Sequence, residues 1–392
     1  MRSKLNYGVL MKVLFICNNA FNPGNGLSMS ARTTIRNLRS RGVDARLMAV
    51  RNPDASGPQP DFPLEHFVFP IFEPIIRANG FCYAKIDRRR IEEAVRWADV
   101  VHFEEALPLE WVAVNIAKKL GKPCVATFHL YPQNITANLG LRKKSLVNPI
   151  LMKHWNAIVF NKCSDVQCPT EAARDYLKNS GCTARLHVIS NGVRLAEEPV
   201  QHVAPPTDTL LEVLCIGRLS NEKSQQTLLR AMRHSKYADR LRLTFAGNGP
   251  KEKKYKRLAQ RLFNEGTLSI LPNFGFYTQQ ELAELARRAY LYIHCAWAEI
   301  EGLSCLEALR QGAVPIIGEG PLIGTTQFAL TPKSLYPLGD SKALAERIDW
   351  WIENREEHDR MSLEYAESAK KFNVEDSVGR IIEMYESAIK GE

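Results

Sequence analysis

Two cations five residues apart, Arg218 and Lys223, stand in the segment GRLSNEKS at residues 217–224. An arginine offers a planar bidentate fork and a lysine a compact point charge, so the pair can converge on one diphosphate. The segment lacks the G-K-[ST] ending of a P-loop, which disfavours triphosphate hydrolysis. Further on, Gly247, Asn248, Gly249 and Pro250 form a turn of small residues that lets a ligand approach the backbone closely. The richest stretch is HCAWAEIEGLSCLEAL at residues 294–309, where seven residues separate Glu299 from Glu307. Its apolar run from Leu303 reads as a helix entered through Gly302. The N–H groups of that first turn, at Gly302, Leu303 and Ser304, can meet phosphate or sugar oxygens. A carboxylate accepts paired hydrogen bonds from vicinal sugar hydroxyls. Together these residues suit a diphosphate that carries sugars.

A second glycine loop, residues 18–30, holds Gly24 and Gly26 ahead of a helical pattern. It can set backbone N–H groups against phosphate or sugar, and a plain turn explains it equally well. A dinucleotide fingerprint fits poorly. Met29 stands where the third glycine of G-x-G-x-x-G belongs, and Asp44 precedes the second strand instead of following it. There is no Asp-x-Asp pair to chelate a divalent ion, and the nine cysteines include no C-x-x-C pair. Cys163 and Cys168, the closest two, read as buried free thiols. No metal or other cofactor is expected.

Residues 11–17 (MKVLFIC) form a continuous apolar run, followed by Asn, Pro and Gly and then a helical pattern over 28–41. This strand, loop, helix unit recurs at 45–50, 100–103, 124–128, 165–168 and 186–189. It restarts at 211–216, 241–246, 268–271, 291–294 and 314–317. Buried strands alternating with helices imply parallel βαβ units and doubly wound sheets. The Pro- and acid-rich residues 197–208 read as the linker between two such units, and each unit is large enough to own a core. Ligands in such sheets collect at the carboxyl ends of neighbouring strands, where Arg218, Gly247 and Glu299 all fall. A closing helix over 374–389 carries an apolar face.

Gly217-Arg218 with Lys223, then Gly247-Asn248-Gly249-Pro250, then Glu299-x7-Glu307, after an Asn191-Gly192-Val193 exit, resembles the family-4 retaining glycosyltransferases of GT-B fold. The likeness covers nearly the whole chain and is most specific in its second half. The forms EIEGLSCLEAL and TFHLYPQNIT resemble a bacterial branch acting on lipids or cell-surface glycans. The resemblance implies two Rossmann-like α/β domains facing across a cleft, an acceptor domain at 11–195 and a donor domain at 196–373. It also implies that the closing helix, 374–392, returns to the first domain. Arg218 and Lys223 would then neutralise the diphosphate leaving group, Glu307 would hold the ribose and Glu299 the donor sugar. His129 would sit near the reacting sugar, Phe276 and Tyr277 by the base, and Gly24, Gly26, Asn248 and Gly249 along the donor. Two departures stand out. Cys295-Ala296 replaces the family's Pro-Ser, and Glu299-Ile-Glu301-Gly302 replaces its E-G-F-G. The donor implied is a nucleotide sugar, commonly of UDP, and the reaction is metal-independent hexosyl transfer with retention.

Charge is divided along the chain: residues 1–195 hold 27 Lys and Arg against 15 Asp and Glu, and the remainder 25 against 28. Residues 139–155 interleave Arg142, Lys143, Lys144 and Lys153 with large apolar side chains, and residues 67–76 form a second apolar run. Both suit reversible contact with an anionic bilayer. No apolar stretch is long enough to span one and no signal peptide opens the chain, so a cytoplasmic address is expected, peripheral on the membrane's inner face. Residues 1–10 read as a tail ahead of a strand that starts at Met11. A GT-B epimerase that needs no acceptor is the rival reading. A nucleic-acid module is a weaker one, lacking any recognition motif, and no nucleic-acid partner is expected.

Overall fold

The computed structural model describes residues 10–22, 24–71, 73–78, 81–137, 145–194 and 210–392. The linker read at 197–208 and the cations Arg142, Lys143 and Lys144 lie outside the described residues.

Among the described residues, seven strands form the first sheet: β1 (Lys12–Ile16), β2 (Asp44–Val50), β3 (Phe62–Leu64), β4 (Val100–Phe103), β5 (Cys124–Thr127), β6 (Asp165–Cys168) and β7 (Arg185–Val188). Six form the second: β8 (Leu211–Ile216), β9 (Leu241–Ala246), β10 (Asn273–Gly275), β11 (Leu291–His294), β12 (Val314–Glu319) and β13 (Leu335–Pro337). The orders are β3-β2-β1-β4-β5-β6-β7 and β10-β9-β8-β11-β12-β13. Every pairing is parallel. Each sheet thus reverses direction once, between β1 and β4 and between β8 and β11. At such a switch point the two flanking loops diverge and leave a crevice at the strand ends.

Alternation along β1 shows how both faces of the first sheet are buried. Leu14 and Ile16 join one apolar cluster, while Val13 and Phe15 join another with Ile35 and Leu38 of the helix Gly26–Ser40. The closing helix, Val374–Lys390, covers that same face with Val374, Val378, Ile381, Met384 and Tyr385. Tyr385 also hydrogen-bonds Nδ1 of the buried His102 at 2.6 Å. The apolar face of the last helix is therefore spent on the first sheet. The chain passes between the two sheets at Val193 and again near Asn373, and the two crossings pair as a parallel bridge.

One local expectation needs correction. Residues 268–271 are not a strand; Leu268 is buried in the second core and the pairing falls on Asn273–Gly275. The three-residue strands β3, β10 and β13 are too short for any periodicity and form because the outer edge of each sheet templates them. Cys163 and Cys168 are buried free thiols, as read.

Candidate active site

The crevice between β8 and β11 collects the residues singled out in the second half. Beyond β8 the chain turns at Gly217, with φ of 143°. That turn is braced by the next: Leu219 N–H donates to the Asn248 carbonyl at 2.8 Å and Lys251 N–H to the Leu219 carbonyl at 2.9 Å. A Cβ on Gly249 would come within 2.5 Å of the Leu219 carbonyl oxygen, so only glycine lets the two turns nest.

Each cation of the first turn rests against a carboxylate. Arg218 pairs with Glu222 at 2.5 Å, and Ser220 Oγ donates to the same Glu222 oxygen at 2.7 Å. Glu222 is fully buried; burial pushes its carboxyl up, but Arg218 and Ser220 outweigh this and hold it below its usual range. Lys223 pairs with Glu299, whose carboxyl also lies 3.7 Å from His294 Nε2. Burial acts upward on Glu299 too, and Lys223 overrides it. Burial lowers His294 to about 4, so this imidazole is neutral near pH 7. The spacing of Arg218, Lys223 and Glu299 in sequence thus becomes one cluster of alternating charge at the switch point.

Gly302 caps the helix Leu303–Arg310 in a left-handed conformation, φ 85°, and a Cβ there would strike Thr325 Oγ1 at 2.4 Å. Leu303 packs on the second core, and Ser304 Oγ hydrogen-bonds Tyr292 OH at 2.9 Å. Glu307 is half-buried one turn further on, and burial raises its carboxyl against the pull of Arg310. Among the described residues no hydrogen bond reaches the Glu307 carboxylate, in contrast to Glu222, Glu299 and Glu301. Phe276 and Tyr277 diverge. Tyr277 folds back over Gly275 and packs on the core, whereas Phe276 is 54% exposed. Gly24 of the first domain lies opposite, where an added Cβ would sit 3.5 Å from the Phe276 ring. Gly26 opens its helix beneath the Asn25 cap.

Across the cleft, His129 follows β5 and its Nε2 meets Glu104 Oε2 at 2.6 Å. Burial acts to raise Glu104, yet His129 and His102 draw it below its usual range. Glu104 and Glu222 are buried partners that sequence reasoning missed; the signal for Glu104 is a pair of carboxylates, Glu104-Glu105, directly after an apolar strand. Arg218 also reaches toward this side, its guanidinium carbon 5.9 Å from the Phe81 ring centroid. Among the described residues no group of three His, Cys, Asp or Glu side chains is placed to hold a metal ion.

The loop after β11 leaves its own domain. Trp297, Ala298 and Ile300 are buried in the apolar cluster of the first sheet. Asn134 Nδ2 donates to the Ala298 carbonyl at 3.1 Å and Thr170 Oγ1 to the Ile300 carbonyl at 2.9 Å. Glu301 continues the contact: Ser190 Oγ donates to Oε1, and Asn191 donates to Oε2 from its side chain at 2.6 Å and its backbone at 3.2 Å. Burial raises Glu301 from 4.5 to about 7, resisted by those donors and by the charge of His129. A raised carboxyl stabilises the fold when protonated, so its contribution is lost as pH rises from about 4.5 to about 7. Between pH 5 and 8 the wild type should lose up to about 3 kcal/mol relative to Glu301→Gln, measured by urea unfolding. An unchanged difference at the two pH values would contradict the burial argument.

Residues 24–197 match the family described as Glycosyltransferase Family 4, and residues 198–368 the family described as Glycosyl transferases group 1. The chain is 26% identical over 234 residues to alpha-monoglucosyldiacylglycerol synthase of Streptococcus pneumoniae, spanning 57% of this chain and 52% of that relative, about half its length. The catalytic domain of cholesterol-alpha-glucosyltransferase from Helicobacter pylori is 42% identical over 42% of this chain and all of that domain, with a TM-score of 0.40. The Anabaena protein HepE, crystallised with UDP and glucose, superposes over 96% of this chain and all of its own at a TM-score of 0.71 and 18% identity. The two-sheet architecture is that of HepE.

Proposed function

This chain belongs to the family-4 glycosyltransferases, of GT-B fold, and we propose that it moves a hexose from a UDP-sugar to a lipid acceptor with retention and without a metal. The observation that carries the donor half is the switch-point cluster, where Arg218 rests on Glu222 and Lys223 on Glu299, with Glu307 on the helix that follows Gly302. The acceptor half rests on the pneumococcal relative, whose name is that of a glucosylated diacylglycerol synthase. The same name specifies the alpha product, the anomer that retention at an alpha-linked nucleotide sugar leaves.

In the proposed reaction the bond from C1 of the sugar to the diphosphate breaks, and the nucleoside diphosphate departs with the electron pair. The acceptor oxygen bonds C1 on the same face, and its proton passes to the departing phosphate oxygen. Negative charge grows on the leaving group, and in this proposal Arg218, Lys223 and the N–H groups of the Gly302 turn stabilise it. Glu307 accepts from the ribose hydroxyls and Glu299 from the sugar. His129, held by Glu104, positions the sugar from the other domain. No helix among the described residues is long and apolar enough to cross a membrane. The first half exposes Phe67, Val68 and Ile71 on one stretch and Leu146, Val147 and Ile150 on another, beside the exposed Lys153. Such side chains in a basic half suit reversible contact with an anionic bilayer.

The test is transfer to diacylglycerol in neutral and in anionic vesicles, from UDP- and GDP-sugars, with a chelator present, read by mass spectrometry. Expected is a lipid heavier by one hexose, formed from a UDP-sugar and faster on anionic vesicles. Release of an epimerised donor without acceptor, or dependence on an added divalent ion, would contradict the proposal.

A further inference from the structure

Glu301 occupies the position where the sequence departs from the family pattern, and the donor chemistry makes no use of it. It is 3% exposed, and each of its oxygens accepts from the first domain. The residues it grips are those at which the chain leaves that domain. Ser190 and Asn191 follow β7, Gly192 turns with φ of 72°, and Val193 exchanges hydrogen bonds with the returning chain: Val193 N–H to the Phe372 carbonyl at 2.9 Å, Val374 N–H to the Val193 carbonyl at 3.0 Å. A Cβ on Gly192 would fall 2.6 Å from Val374 Cα, so the two crossings are in close contact. Asn191 carries the contact onward, since its Oδ1 accepts from Ser30 Oγ at 2.8 Å on the helix that follows the Gly24 and Gly26 loop. Toward the other side, Glu301 is bonded through the chain to Gly302, the cap of the donor-facing helix.

We propose that Glu301 is a positioning residue that fixes the Gly302 turn of the second domain against the inter-domain crossing and the Ser30 helix of the first. The inference rests on the transferase reading, in which donor lies between these two elements. Three donors converge on one buried carboxylate, so the domains cannot separate here without stranding polar groups. The relay Gly302, Glu301, Asn191, Ser30 sets the spacing between the leaving-group turn and the first domain's face of the cleft. The donors to Glu301 are Ser190 and Asn191 of the first domain, so the contact that sets the spacing can be altered without replacing Arg218, Lys223 or Glu307.

The experiment compares Glu301→Ala, Glu301→Gln and Asn191→Ala with wild type in kcat, in UDP affinity by titration calorimetry and in scanning-calorimetric unfolding. Glu301→Ala should lower kcat by about tenfold to a hundredfold through misplacement, while UDP affinity changes by less than about threefold. Glu301→Gln keeps an acceptor for Asn191 and should recover most of the loss, and Asn191→Ala should reproduce it in part. Unfolding should pass from one transition in the wild type to two in Glu301→Ala. A wild-type kcat in the alanine variant, or UDP affinity falling in step with kcat, would overturn the positioning role. If Glu301→Ala fails to fold, Asn191→Ala decides: unchanged kcat and a single transition overturn it. Absence of turnover in the wild type would instead defeat the transferase reading, leaving the unfolding comparison to judge the Glu301 contact by itself.

Discussion

Replacing Lys223 by alanine is expected to lower kcat by about 10²–10³-fold, equivalent to roughly 3–4 kcal/mol of lost transition-state stabilisation. Lys223 lies where the strand end and the helix after it leave a partly solvated crevice, and its ammonium rests on Glu299. In the proposed reaction, arrival of a diphosphate offers that ammonium a second anion, and departure of the nucleoside diphosphate adds negative charge at the same place. Such a cation gains more in the transition state than in the ground state, so kcat and kcat/KM should fall together. The variant also leaves Glu299 without the cation that holds its carboxyl down, while burial continues to push it up. Lys223→Arg keeps the charge but replaces a point charge with a planar fork and should recover only part of the rate. Steady-state kinetics on a UDP-sugar check this. A variant that loses donor affinity with kcat intact would make Lys223 a ground-state contact only.

Trp297→Ala is expected to cost about 3–5 kcal/mol of stability, measured by denaturant unfolding. The indole belongs by sequence to the second domain and by packing to the first, and it is 7% exposed. Its Nε1 donates to the Asn221 carbonyl at 3.0 Å, and its backbone N–H to the Glu222 carbonyl at 2.9 Å, so the ring braces the cation turn as well. Truncation therefore opens a cavity between the domains and loosens the loop that carries Arg218 and Lys223. Trp297→Phe retains most of the apolar burial and loses the Asn221 bond, a change of about 1–2 kcal/mol. A loss below about 1 kcal/mol for the alanine variant would show that the loop is not anchored in the first core.

The strands that run as mostly apolar segments, such as β1, β8 and β11, are legible in sequence because burial on both faces demands it. β3, β10 and β13 are not, since three residues at a sheet edge carry no period. The cluster of the second half is legible for a similar reason: Arg218 and Lys223 share one loop and Glu299 and Glu307 one loop and helix, so spacing alone nearly fixes their geometry. What spacing does not carry is contact between distant segments. Glu104 meets His129 from the neighbouring strand, and Glu301 meets Ser190 and Asn191 from the other domain. In sequence Glu301 stands only as part of a departure from the family's E-G-F-G, and its burial among three donors is a contact that spacing does not carry. Phe276 and Tyr277 look like one aromatic pair, yet Phe276 is exposed while the Tyr277 ring lies over Gly275.

The most direct measurement is calorimetric titration of UDP into the wild type and into Glu307→Ala, with circular dichroism to show that the variant keeps its fold. The wild type should bind UDP, and loss of paired hydrogen bonds from the ribose to a charged acceptor should weaken binding by about tenfold or more. Equal affinity in the two proteins, or no UDP binding in the wild type, would contradict a nucleotide-sugar site built on the crevice between β8 and β11.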